Sequence, residues 1–441
     1  MTTPRSDPVS QKTIIDRAAG VSRRDVLKTA GGVTAALAAT GTRAETGVAA
    51  APARPPRSFD VIVVGMGAVG AATVYQLAQR GVKVLGLERF AVPHSMGGTH
   101  GNSRQTKLAA YQGGPYEPII RRAYELWEQL VEESGQKDVM VTTGFLDLFP
   151  GDPSTPPGRG AYARDTGLYE RLPPDEVARR YPQFRFERPF WGHLDPKGAL
   201  LRPELGITTH VRLAMQRGAV VEGSTEVKSW RADGGEVSVE TTRGTFTGQK
   251  LVLCAGPWMG KLAADLGIRM TANRQSFAWA WPLRNATAYG PETMPCWCLQ
   301  DSPGAKYGGP YYGFPMMTDV PGFKIGLHWA GEPVDPDAFD RTPNANDEEL
   351  VRFALRKYLP DADGPLLGIR TCLYDNTPDG TPIIDVHPGH DRVVLCGPLC
   401  GAGFKFSPAY AEAAADLAAT GTTKLPIDFL RIGRLLKGAQ R

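Results

Sequence analysis

At 441 residues the chain is long enough to bury a large core, and one to three domains are expected. Its 42% hydrophobic and 22% charged residues are ordinary for a globular protein, and a net charge of +4, held partly by the first residues, leaves no basic stripe for nucleic acid. The six cysteines are scattered rather than spaced as a small disulfide scaffold, and no H-E-x-x-H or paired C-x-x-C suggests a metal site.

The first segment reads as an address rather than as fold. Arg23-Arg24 precede a weakly apolar, small-residue run over residues 29–39 and a small-residue stretch ending at Ala44. That order is the pattern of a twin-arginine export signal, expected over residues 1–44, with the Tat translocase as partner and the periplasm or cell exterior as destination. The run is far short of the ~20 residues that a membrane span needs, so no stable anchoring is expected. Residues 45–58, rich in Ala and Pro, read as linker. Because this route carries folded proteins, a cofactor can be loaded first, and the cysteines need not pair.

Residues 59–89 are the organising stretch. An apolar β-branched run, Val61-Ile62-Val63-Val64, suits a strand buried on both faces. Gly65, Gly67 and Gly70 then form G-x-G-x-x-G, followed by a helix over residues 68–80 and a second strand over 82–87 ending at Glu88. In such a unit the first glycine permits the tight turn, the second lets a pyrophosphate approach the backbone, and the third lets helix and strand pack closely. The amides at Ala68 and Val69 open the helix and point its positive dipole end at the phosphates. Glu88 is placed to accept from a ribose 2′-hydroxyl and to disfavour a 2′-phosphate. The glycine turn by itself leaves FAD and NAD open.

Further along, residues 91–114 are rich in Gly, His and Ser and contain Arg104 and Lys107. An amphipathic helix is expected over residues 116–133, strands over 139–149, a loop over 151–167 and a helix over 202–217. Short strands fill residues 220–254, the last running into Ala255-Gly256-Pro257 as a second cofactor-lining edge. Residues 274–281 and 311–328 read as strands of a separate antiparallel sheet. A helix over 346–358 takes Asn346 as N-cap with Glu349 closing a capping box. After a buried strand at 393–396, Ser407 as N-cap and Pro408 start an alanine-rich helix that Gly421 ends. No internal repeat is apparent.

Five segments in order, FDVIVVGMGAVGAA, GGTHGNSRQTKLAAY, YYGFP with FKIGLH, CLYDNTPDGTPIID and GAGFKFSP, resemble the monomeric sarcosine oxidase and N-methyl-tryptophan oxidase family of flavoenzymes. The resemblance covers nearly everything after residue 58. It implies a Rossmann-type FAD-binding domain (residues 59–140, 195–262 and 366–441) interleaved with an antiparallel β-sheet substrate domain (141–194 and 263–365). It further implies a monomer that oxidises a small secondary amine with O₂, releasing an imine for hydrolysis and H₂O₂. The rival classes are a flavin hydroxylase using NAD(P)H and a flavin-binding protein without catalysis.

The same resemblance assigns roles to single residues. Cys372 matches the flavin-linking cysteine; the bond needs a thiolate, which nearby Arg370 would favour. Lys324 matches a lysine near flavin N5 that favours oxygen reduction, although simple strand alternation could equally leave it exposed. Lys405 matches a lysine near the substrate carboxylate, and Arg104 an arginine over the flavin ring. Lys107 stands where the family has a carboxylate-binding arginine, with charge but no bidentate fork. Ala402 stands where relatives carry histidine. Tyr312 and Tyr374, with Trp329, are candidates to wall a slot for a methylated amine, and His328 to lie at the pocket edge. Further FAD contacts are expected at Arg89, Val227, Gly256, Gly401, Gly403 and Phe404. Cys296 and Cys298, like Cys396 and Cys400, read as structural.

Overall fold

The computed structural model describes residues 57–151, 167–300, 310–328 and 331–436. The expected signal segment, nearly all of the linker, most of the 151–167 loop and Trp329 lie outside them.

Strand β1 (Ser58–Val64) runs parallel between β2 (Val84–Leu87) and β12 (Gly244–Leu253). Its β-branched residues alternate as strand geometry requires: Val61 and Val63 enter the core under the helices, and Ile62 and Val64 the core on the opposite face. That is why the run is apolar throughout rather than every second residue. The parallel sheet continues through β9 (Val220–Glu222) beyond β2, and β20 (His390–Cys396) lies beside the end of β12. An antiparallel hairpin, β10 (Val227–Asp233) and β11 (Glu236–Thr241), pairs with the first half of β12, and β19 (Ile384–His387) pairs with β20.

Helix α1 (Ala68–Gln79) follows β1 and is buried along almost its whole length, packed against α4 (Pro203–Gln216) and α7 (Ser407–Thr420). A helix enclosed on all sides needs small residues, which explains Ala68, Gly70, Ala71 and Ala72 and the alanines of α7. Gly421 ends α7 at φ +79°. Ser407 is not its cap. A 3₁₀ turn at Phe404–Phe406 runs straight into α7, so Ser407 already has helical dihedrals (φ −53°, ψ −38°) and its buried hydroxyl finds no hydrogen-bond partner. A capping hydroxyl needs an extended backbone to reach back to the first amides.

The second sheet has the order β17 (Pro333–Val334), β13 (Thr271–Ala280), β16 (Phe323–Leu327), β15 (Tyr311–Phe314), β14 (Cys296–Leu299), β5 (Phe145–Pro150), β7 (Phe190–Asp195) and β6 (Glu170–Leu172), with β18 (Leu366–Asn376) along the other edge of β13. Two expectations change here. The sheet is not purely antiparallel, because β14 and β5 pair in parallel. And residues 366–376, expected in the FAD-binding domain, pair with β13 from Thr271 to Ala280, which carries Cys372 and Tyr374 onto this sheet. A small third sheet joins β3 (Arg104–Thr106), β8 (Ala199–Leu201) and β4 (Met140–Thr142).

One face of the second sheet, with Leu146, Trp297, Tyr311, Phe323 and Ile325, packs on α6 (Ala345–Tyr358) through Val351, Ala354 and Leu355. Each such side chain contributes about 1.5–3 kcal/mol on burial. The cap of α6 is Asn344 rather than Asn346: its extended backbone lets Oδ1 accept from Asn346 and Asp347 N–H at 3.0 and 3.1 Å, while Asp347 accepts from Asn344 N–H. The remaining helices are α2 (Glu117–Ser134), α3 (Pro174–Arg180), α5 (Met259–Leu262) and α8 (Gly433–Leu436). No helix among the described residues is long and apolar enough to cross a membrane.

Candidate active site

The nucleotide half is built at the end of β1. Gly65 takes φ +92°, and a Cβ there would sit 2.4 Å from the Cys254 carbonyl oxygen; a Cβ on Gly70 would sit 1.7 Å from the Gly65 oxygen. Both positions therefore require glycine, whereas the space beside Gly67 is open apart from Thr99 Oγ1 at 3.9 Å. The open side faces a cavity of about 300 Å³ lined by Gly65, Gly67, Ala68, Val69, Glu88, Arg89, Val227 and Gly256, eight of the expected cofactor residues. Glu88 is held at the end of β2, accepting from Met66 N–H at 2.8 Å and Phe90 N–H at 3.0 Å. Arg89 pairs with Asp337, which also accepts from Trp258 Nε1 at 2.7 Å and pairs with Lys261. Asp337 thus ties the segment after β17 to the cavity rim. Nothing in its local sequence marks it, since its partners are distant in the chain.

A dinucleotide fits this cradle: backbone amides and a helix N-terminus toward the phosphates, a fixed acid for the ribose, and clearance only where the backbone must be approached. Gly401, Gly403 and Phe404 lie beyond the cavity. Gly401, at φ +67°, packs on the Tyr374 ring, where a Cβ would sit 2.5 Å from the ring carbon, and Phe404 stacks on Trp127 at 5.3 Å.

The catalytic half is set by strand register. Asp147, Cys298, Tyr312 and Gly326 are successive cross-strand partners over β5, β14, β15 and β16. By the period of two, Lys324, Phe314, Phe277 and Gln275 share their face, and across β13 so do Cys372 and Tyr374. This is the face opposite α6. It is covered by the segment around residues 98–107, whose Gly97, Gly98 and Thr99 also line the cavity.

Lys324 is 2% exposed, so the solvent-facing alternative is excluded. Its Nζ donates to the carbonyls of Gly101 (2.8 Å) and Ser103 (3.0 Å) and lies 4.3 Å from the Phe277 ring centre. Burial first, then the Arg104 charge, holds the Lys324 ammonium well below its ordinary range. The turn that binds it is itself pinned, because Glu204 in the first turn of α4 accepts from Gly101 N–H at 2.6 Å and from Asn102 N–H. The sequence reading missed Glu204. Arg104 donates to Ser103 and Gly98 carbonyls, each at 2.8 Å.

Cys372 is buried, and burial raises its thiol above the ordinary value against the opposing charges of Arg104, Lys324, Arg274 and Arg341. Arg370, expected to favour the thiolate, is exposed; the cations that act on the thiol come from other elements. Tyr374 shares a 2.9 Å hydrogen bond with His328 Nδ1 and is bonded to Tyr312, forming a short polar chain. Burial raises both phenols, keeping their protons available for donation. Lys405 donates to the Ala402 carbonyl at 2.9 Å over the Tyr111 and Phe406 rings. Lys107 instead faces the Asp147 carboxylate at 3.1 Å.

All six cysteines are buried and unpaired. Among the described residues one potential metal-ligand group exists, Asp265 with His387 and His390. Gly389 N–H donates to His387 Nδ1 at 3.1 Å, which leaves the ring proton on Nε2 facing Asp265 Oδ2 at 3.0 Å rather than a lone pair for a metal.

Residues 60–417 match the family of FAD dependent oxidoreductases. The chain is 34% identical over 382 residues to a monomeric sarcosine oxidase of Streptomyces avermitilis, covering 86% of this chain and 98% of that protein. It is 32% identical over 386 residues to an N-methyl-L-tryptophan oxidase of Salmonella dublin, covering 85% and 99%. Among solved structures it resembles the open form of NikD, an unusual amino acid oxidase essential for nikkomycin biosynthesis, with TM-score 0.75 and 27% identity over 85% of this chain and 98% of that one.

Proposed function

The chain belongs to the FAD-dependent oxidoreductase family, and on that premise we propose that it is an oxidase of secondary amines of the N-methyl amino acid kind, using O₂ and releasing H₂O₂. The observation that carries this reading is the single sheet face that presents Lys324, Tyr312, Tyr374 and Cys372 together, beneath Arg104 and next to the dinucleotide cavity. FAD held by these residues would supply the two-electron acceptor that the amine oxidation and the reduction of O₂ require.

The residues divide the remaining work. Gly65, Gly67 and the start of α1 receive the pyrophosphate, and Glu88 the ribose. Cys372 would hold the flavin covalently, a link that survives dilution after export. Tyr312, Tyr374 and His328 form a partly buried, hydrogen-bonded wall with protonated phenols to orient the amine. Lys405 offers a cation to a substrate carboxylate. Two backbone carbonyls hold the Lys324 Nζ in place, and negative charge arriving as O₂ is reduced would favour the ammonium that burial otherwise disfavours, so the side chain is positioned to stabilise that charge. Export of a folded, flavin-loaded monomer by the Tat translocase completes the proposal, supported by Arg23-Arg24 and the small-residue run that follows.

The test is a panel of N-methyl amino acids and simple secondary amines, scored anaerobically by flavin bleaching and aerobically by H₂O₂. Bleaching by NAD(P)H but by no amine would replace this reading with a hydroxylase. Bleaching by neither would leave a flavin-binding protein without catalysis.

A further inference from the structure

Four basic side chains surround the candidate catalytic space: Arg104, Lys107, Lys324 and Lys405. Three are held by backbone carbonyls rather than by a carboxylate. Among the described residues, Lys107 is the one of the four with a carboxylate in hydrogen-bonding contact: Nζ donates to Asp147 Oδ2 at 3.1 Å while lying 3.8 Å from the Phe145 ring centre. Both partners are buried, Lys107 at 9% and Asp147 at 3% exposure. Burial alone would depress Lys107, but Asp147, together with Cys298 and Tyr111, more than offsets it and favours the charged ammonium.

The pair is placed to matter for substrate. Asp147 and Cys298 are cross-strand partners, Cys298 and Tyr312 likewise, and the Cys298 thiol feels both Lys107 and Lys405. The surroundings hold the Lys107–Asp147 pair in place. Asp195 accepts from the N–H groups of Leu108 and Ala109 at 2.7 and 2.9 Å, fixing the chain just after it, and Gln300 donates to Asp147 Oδ1 at 3.3 Å on the other side.

Building on the oxidase reading, we propose that Asp147 is a specificity-determining residue that withdraws Lys107 from substrate carboxylates. A carboxylate arriving at Lys107 would have to displace a buried anion and break its ion pair, which costs more than the new contact returns. Lys405 is then the cation left to hold a carboxylate, and the substrate turns an uncharged group toward the Lys107–Asp147 pair. The chain carries a cation at position 107 without using it to select amino acids by charge.

The experiment uses the flavin-loaded protein and two isosteric probes, benzoate and benzamide, titrated against the flavin absorbance spectrum, so it needs no turnover and stands even if the oxidase reading fails in the amine panel. In Asp147→Asn the freed Lys107 should raise the benzoate-to-benzamide affinity ratio at least tenfold. Asp147→Glu, which restores the charge, should return the ratio to within threefold of wild type. The double variant Lys107→Met/Asp147→Leu removes both charges without leaving either unpaired, and should weaken benzoate by less than threefold. A ratio unchanged in Asp147→Asn overturns the proposal. So does a tenfold or greater loss of benzoate binding in the double variant, which would make Lys107 the carboxylate's partner.

Discussion

Replacing Lys324 with methionine separates the two half-reactions. The substitution keeps the length of the side chain and deletes an amino group that is 2% exposed, held by two carbonyls at 2.8 and 3.0 Å and able to take up a proton as charge develops on oxygen. Removing one preorganised charge of this kind costs ~10²–10³ in rate, or about 3–4 kcal/mol. If that field acts on oxygen as it is reduced, the loss falls on reoxidation, while anaerobic reduction by substrate stays within about tenfold, a change below ~1.4 kcal/mol. Leaving the Gly101 and Ser103 carbonyls without their donor costs about 1–3 kcal/mol each, against the relief of no longer burying a cation. Those effects oppose each other, so a melting temperature near wild type is the control for intact packing. Stopped-flow mixing of substrate with oxidised protein, and of O₂ with dithionite-reduced protein, measures the two rates. Equal reoxidation in both proteins would refute the reasoning, and lost reduction with intact reoxidation would move Lys324 to the substrate side.

Three further outcomes are expected. Yellow colour should stay with the polypeptide after acid denaturation of the wild type and be released in Cys372→Ser; flavin that washes off the wild type denies the linkage. Asp375 is buried with its Oδ2 accepting from Leu399 N–H, and burial pushes its carboxyl up to about 6. Its protonated form is the one the fold favours, so its effect on stability is felt as pH rises from about 4 to about 6 and is constant above. Asp375→Asn should therefore be more stable than wild type above that window by up to about 3 kcal/mol in urea melts, with the gap closing below pH ~4; a gap that widens in acid contradicts the assignment. Changing Arg23 and Arg24 together to Lys should leave the mature protein inside the cell, and an unaltered distribution between fractions rules out the twin-arginine route.

Much of the nucleotide half was legible from residues close together in the chain. The glycine turn, the buried run of β1 and Glu88 lie within about thirty residues, the length of one βαβ unit; the clash that requires Gly70 is local, while Gly65 is fixed by its positive φ and by the distant Cys254 carbonyl. The alanines of α7 likewise announce a helix enclosed by others. The errors near helix starts have a local cause too. Two asparagines, Asn344 and Asn346, and one serine, Ser407, satisfy the composition of a cap, but only the extended backbone at Asn344 lets a side chain reach the free amides.

The catalytic half depended on register and on contacts between distant segments. Lys324 between Phe323 and Ile325 could point outward by simple alternation, and the family motif rather than the period tips it toward the site, because period two says which residues share a face but not what covers that face. The covering segment around residue 101 is more than two hundred residues earlier in the chain, and only the fold sets its carbonyls above Nζ. The charge beside Cys372 likewise came from Arg104, Arg274, Lys324 and Arg341 rather than from its sequence neighbour Arg370. Asp147 sits in an apolar strand, and β3 and β5 had to meet before it acquired Lys107. By itself the sequence determined the dinucleotide turn, the family resemblance and the chemical types of the site residues, because these follow from short-range geometry and side-chain identity. Tertiary structure decided which charges face one another, because electrostatic pairing falls off over a few ångströms and depends on separations that no spacing along the chain encodes.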